Sequence, residues 1–217
     1  MSSRGKRTRS LTLALKMQNP PPKSPPLVII GLSGFGGVGK DTVARVLKEH
    51  FSFQQVAFAD KVRELALVVD CFFPELGETY SKLIDRMGYE KAKRLHPCVR
   101  EFLIRIGHCG RTVLGSDVWI NAALPIVGTD RHREMLEKGG LYVYSDVRYV
   151  NEAKRIREYG GQVWMIKRPG CGPVHESEAK SIAEIETEHV LNNTSVLPFF
   201  EQAVVQFYEE RFPGHRE

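Results

Sequence analysis

The chain has 217 residues, is 42% hydrophobic and carries a formal charge of +5, which is enough apolar material for one globular domain with a core and excludes disorder along its whole length. Residues 1–26 hold six basic side chains (Arg4, Lys6, Arg7, Arg9, Lys16, Lys23) and no acid, so subtracting six from +5 leaves the remainder at −1. The basic character belongs to a terminal segment, and the body has no general positive excess to steer it to nucleic acid or to a membrane surface.

Residues 1–26 close on Pro20-Pro21-Pro22-Lys23-Ser24-Pro25-Pro26 without apolar periodicity and are expected to be a disordered, basic, proline-rich extension. Met17 is an alternative start. No run reaches the roughly 18 apolar residues of a membrane span. The four cysteines (Cys71, Cys98, Cys109, Cys171) form no C-x-x-C pair, so a reduced, cytoplasmic protein is expected.

A single domain over 27–217 is expected to begin with the apolar run Leu27-Val28-Ile29-Ile30, followed by Gly34-Phe35-Gly36-Gly37-Val38-Gly39-Lys40-Asp41-Thr42 and an amphipathic segment. Strand, glycine loop and helix in that order turn backbone N–H groups and the positive helix end toward one point, where Lys40 adds a mobile charge. This predicts a phosphate-binding loop. Asp41 stands where such loops commonly place the hydroxyl that meets Mg²⁺, and Thr42 follows it.

A second strand is predicted at Val56-Ala57-Phe58-Ala59, ending at Asp60, with a helix through Lys61-Val62-Arg63-Glu64-Leu65-Ala66. Asp60 suits either a helix cap or a bond to a ligand hydroxyl, and Arg63, one turn on, either an anionic ligand or solvent. Residues 71–127 show no clear strand and are predicted to be a helical substrate-binding insertion covering Tyr80 to Arg94, Pro97 to Leu114 and Asp117 to Val127. Arg100 and Arg111 share a face if their helix is continuous, and converge on one anion if it bends at Gly107 and Gly110.

The third strand, Leu141-Tyr142-Val143-Tyr144, leads to Ser145-Asp146-Val147-Arg148. An acid at a strand end can hold a metal or its waters, or cap the helix expected from Tyr149 to Tyr159. A fourth strand at Val163-Trp164-Met165-Ile166 precedes a charged lid region, 167–187, with Lys167, Arg168 and the cluster His175-Glu176-Ser177-Glu178. In that cluster His175 is either a base or part of a helix start. His189-Val190-Leu191 is the fifth strand. Short apolar strands alternating with helices predict an α/β fold, a five-stranded parallel sheet with helices on both faces and ligands beyond the strand carboxyl ends.

GLSGFGGVGKDTVA, FADKVRELA, VREFLIRIG with GRTVLGSDVWINA, SDVRYVNEA, VWMIKRPG and HVLNN, in that order over about residues 28 to 200, resemble deoxynucleoside monophosphate kinases of the bacteriophage type, within the P-loop nucleoside monophosphate kinase superfamily with its P-loop NTPase fold. The resemblance implies transfer of the ATP γ-phosphoryl group to a deoxynucleoside monophosphate with Mg²⁺, in the cytoplasm of a host cell. It implies that Gly34 to Thr42 bind the donor phosphates and that Lys40 neutralises the transferring group. Asp146, with Asp41, would organise Mg²⁺, and Arg168 would act from the lid. Arg63, Arg100, Arg111 and Arg148 would hold the acceptor, Asp60 its sugar or base, and Trp119 would either stack on the base or pack between helices. The stretch Leu103-Ile104-Arg105-Ile106-Gly107-His108-Cys109-Gly110-Arg111 departs from the family pattern, with Ile104 and Cys109 at polar positions. Base preference and oligomeric state are not legible, and a homodimer is compatible with the chain. Two other readings are a different small-molecule P-loop kinase, such as a dephospho-coenzyme A kinase relative, and a nucleotide-binding protein without enzymatic activity that uses its basic segment on nucleic acid.

Overall fold

The computed structural model describes residues 26–173 and 176–214. The basic extension up to residue 25 and His175 lie outside the described residues. The first strand, β1 (Leu27–Ser33), is followed by α1 (Lys40–Phe51), β2 (Gln54–Val56) and α2 (Phe58–Val69). A small hairpin, β3 (Phe72–Phe73) with β4 (Glu78–Thr79), leads into α3 (Tyr80–Met87), α4 (Tyr89–Leu95), α5 (Pro97–Leu114), α6 (Val118–Ala123) and α7 (Asp130–Lys138). Then come β5 (Gly140–Val147), α8 (Val150–Glu158), β6 (Gln162–Lys167), α9 (Glu176–Ala183), β7 (His189–Asn192) and α10 (Leu197–Arg211).

Five strands form one parallel sheet in the order β2-β5-β1-β6-β7, the expected α/β class with helices on both faces. The central strand β1 shows why: Ile30 and Leu32 pack with Val43, Leu47, Phe200 and Val204 of α1 and α10, while Ile29 packs with Phe58, Ile120 and Ile156 on the opposite face. Alternate side chains of a strand point to opposite faces, so a strand buried on both sides reads as a continuous apolar run. Gly31 lets α8 approach, because a Cβ there would lie 2.6 Å from Ile156 Cδ1.

Two expectations need correction. The second strand is Gln54–Val56 and not 56–59, and α2 starts at Phe58, so Asp60 lies in the first helical turn instead of at a strand end. The insertion is not wholly helical, since Phe72 and Phe73 pair antiparallel with Thr79 and Glu78. Ala66, Phe73, Tyr80, Leu83, Ala92, Val99 and Leu103 form a third apolar cluster separate from the two flanking the sheet. All four cysteines are free thiols, and none of the described helices is long and apolar enough to cross a membrane.

Candidate active site

The loop between β1 and α1 has the backbone that its glycines permit. Gly34, Gly37 and Gly39 have φ of 135°, 76° and 107°, in a region that side chains disfavour. Contact enforces two of them: a Cβ on Gly34 would lie 2.4 Å from the Ile166 carbonyl oxygen, and one on Gly39 would lie 2.8 Å from Asn193 Nδ2. Gly36 has open space around it. Lys40, the first residue of α1, folds back so that Nζ donates to the carbonyls of Gly34 at 2.7 Å and Phe35 at 2.8 Å. Burial holds its ammonium below the usual lysine range and the nearby Arg148 cation pushes the same way, while Asp41, Glu178 and Asp146 oppose them.

A cavity of about 230 Å³ opens over this loop, lined by Gly37, Gly39, Lys40, Asp41, Thr42 and Arg168 together with Asn193, Ser195, Leu197 and Phe200. Residues expected to share a site from the loop and the lid are thus brought together. Asn193 was not singled out from sequence. It is buried, its Nδ2 donates to the Val38 carbonyl at 2.9 Å, and its own N–H donates to Lys167 O at 2.7 Å, so it ties the loop to the end of β6. The asparagine pair at the end of β7, Asn192-Asn193, was the available signal.

Asp146 occupies the carboxyl end of β5, but the helix it caps is α2 and not α8. Its Oδ1 accepts from Phe58 N at 2.8 Å and its Oδ2 from Ala59 N at 2.9 Å. Burial raises its pKa, opposed by those two N–H donors and by Arg148. Asp60 takes the neighbouring donor, Ala57 N, at 2.8 Å and pairs with Arg63 Nη1 at 2.7 Å. Capping is therefore the observed role of Asp60. The Arg63 guanidinium also lies 4.2 Å from the Tyr89 ring centroid.

Helix α5 runs unbroken through Gly107 and Gly110. The bend that would bring Arg100 and Arg111 onto one anion does not occur, and eleven residues at about 1.5 Å each separate them by roughly 16 Å along the axis. Arg100 is exposed and lines a different hollow with Glu90, Lys91, Lys93 and Arg94 of α4. Arg111 instead reaches the sheet edge, with Nη1 3.8 Å from Glu152 Oε1 and the guanidinium 3.9 Å from the Tyr149 ring centroid. Gly110 makes room for Trp119, which is 7% exposed, donates from Nε1 to the Gly107 backbone carbonyl at 2.9 Å, and would meet a Cβ on Gly110 at 2.3 Å from Cζ2. Of the two roles expected for Trp119, base stacking gives way to helix packing.

Among the described residues no three His, Cys, Asp or Glu side chains cluster as a metal cage. That donor set still fits Mg²⁺, which keeps several waters and is commonly bound through one or two carboxylates together with substrate phosphates. Asp146 leaves a lone pair free on each oxygen, and Asp41 is exposed at the start of α1.

No protein-family model matches the chain. A protein of Acanthamoeba polyphaga mimivirus, provisionally named a deoxynucleotide monophosphate kinase, is 29% identical over 195 residues, covering 82% of this chain and 95% of the relative. Among solved structures, shikimate kinase from Aquifex aeolicus aligns with a TM-score of 0.40 and 12% identity over 86% of this chain and 99% of its own. Dephospho-CoA kinase from Campylobacter jejuni aligns with a TM-score of 0.38 and 15% identity over 85% and 96%.

Proposed function

We propose that the chain is a phosphotransferase that moves the γ-phosphoryl group of ATP to the phosphate of a deoxynucleoside 5′-monophosphate, giving ADP and the deoxynucleoside diphosphate. The observation that carries this reading is the cavity in which the glycine loop, Lys40 and the lid residue Arg168 meet. The acceptor class is supported by the mimivirus relative's name and by the ordered motifs of the sequence.

In this mechanism the loop N–H groups and the start of α1 hold the donor phosphates. Lys40 exchanges its bonds to Gly34 O and Phe35 O for phosphate oxygens, and Arg168 of the same cavity offsets charge. Arg111, Arg148 and Arg63 hold the acceptor. One acceptor phosphate oxygen attacks the γ-phosphorus in line while the bond to the β–γ bridging oxygen breaks, and its electron pair leaves with ADP. An ionised phosphate needs no base, so the protein contributes positioning and electrostatics. Asp146 and Asp41 would hold Mg²⁺, which when bound neutralises charge on the donor phosphates.

The test is ADP release with ATP and Mg²⁺, supplying dAMP, dGMP, dCMP, dTMP or their ribose counterparts against a control without acceptor. Stimulation by deoxynucleotides is expected. Release only with a different acceptor, or none, would remove the acceptor assignment.

A further inference from the structure

What meets Arg111 at the sheet edge is a pocket made by the start of α8. Glu152 is 4% exposed, and its Oε2 accepts from the backbone N–H of Arg148 at 2.7 Å and of Tyr149 at 3.0 Å. These two bonds fix the carboxylate, leaving Oε1 toward Arg111 at 3.8 Å, inside ion-pair range but beyond a hydrogen bond. The Tyr149 ring covers the guanidinium face. Asp117 adds a second negative charge that bears on Arg111, its carboxyl held below the usual range by the Asn151 side chain.

A second arginine in the same region shows the contrast. Arg155, in α8, is buried and engages all three guanidinium nitrogens, donating to Leu124 O, Asn121 Oδ1 and Glu158 Oε2 at 3.0 Å each. That is a fully committed, structural arginine. Arg111 donates no hydrogen bond to the described residues, yet it is held in place by a stacked ring and a fixed carboxylate. Stacking and a distant charge orient a guanidinium while leaving its planar fork free for an oxyanion.

We infer that Glu152 and Tyr149 are positioning residues that aim the free donors of Arg111 at the acceptor's phosphate. This rests on the phosphotransferase reading above. Arg111 belongs to α5 and its partners to the start of α8, so the contact links the inserted helices to the segment that follows Asp146 and Arg148.

The experiment is steady-state kinetics of the full chain for wild type, Glu152→Gln, Tyr149→Leu, Arg111→Ala and the double variant Glu152→Gln/Arg111→Ala. The expected result is an acceptor KM raised roughly 3- to 30-fold in Glu152→Gln and Tyr149→Leu, the range of a direct coupling, with the ATP KM within about twofold of wild type, as for a site that does not touch the donor. The double variant should be no worse than Arg111→Ala alone. An unchanged acceptor KM in both single variants, or effects that multiply in the double variant, would overturn the inference while the phosphotransferase reading stood. An inactive wild type with every deoxynucleotide would instead bring down that reading, and the inference with it. Should Glu152→Gln not fold, Tyr149→Leu decides the matter.

Discussion

Asp146 and Phe58 are 88 residues apart in sequence, yet the carboxylate of one accepts the backbone N–H of the other at 2.8 Å. A strand-end acid thereby caps a helix from another part of the chain and stands at the edge where phosphates are expected. Asp146→Ala leaves the first N–H groups of α2 without acceptors. It should cost about 1–2 kcal/mol by urea denaturation and lower kcat as well. Lost activity with unchanged stability would show that the cap contributes nothing to folding.

Lys40→Ala removes the charge that the proposed mechanism directs at the transferring group, but only two exchangeable bonds to loop carbonyls. The circular dichroism spectrum should be preserved while kcat falls about 10²- to 10³-fold. Wild-type turnover would exclude Lys40 from the chemistry.

Arg111→Ala should raise the acceptor KM at least tenfold, about 1.4 kcal/mol. Arg100→Ala should leave it within about twofold, since Arg100 faces the hollow along α4. Equal effects of the two variants would mean that the helix presents both arginines to one ligand.

Gly110→Ala would gain helix propensity at an exposed site, but here the new methyl meets the Trp119 ring. Overpacking should dominate and destabilise the fold by about 1–3 kcal/mol, measured by thermal unfolding. Pairing it with Trp119→Leu should recover part of the loss.

Burial pushes the Glu152 carboxyl up to about 7 from 4.5. A raised folded pKa means that the native state holds an extra proton between those values, so the group's contribution to stability falls as pH rises through that window. Glu152→Gln does not titrate. Its stability relative to wild type should therefore improve by roughly 2 kcal/mol between pH 5 and pH 8, read from urea midpoints at each pH. A difference independent of pH would place the carboxyl's titration outside the window.

The glycine loop and four of the five sheet strands were legible because their signals are local: spacing of glycines, an apolar run, a lysine after them. The start of α2 was not, because Val56-Ala57-Phe58-Ala59 reads as a strand and only Asp146, far along the chain, supplies the donors' acceptor at Phe58. Arg100 and Arg111 look alike in sequence and differ by what faces them, α4 in one case and Glu152 with Tyr149 in the other. Asn193 acts on the backbone of a remote segment, for which no spacing rule exists, whereas Glu152 stands at the third position of α8 and accepts from the N–H groups just before it, a local helix-start signal. Trp119 was ambiguous until Gly110 of α5 was seen to make room for its ring.

Helix α2 contributes Phe58 to the apolar cluster against the sheet and Ala66 to the cluster within the insertion, which otherwise draw on different helices. With the Trp119 contact of α6 on α5, it joins two separately packed clusters. The smaller body should open by itself, with amides of α3 and α4 exchanging at a lower free energy than those of β1 and β5. Any motion of α2 in such an opening would be carried to Phe58 and Ala59, whose N–H groups Asp146 holds.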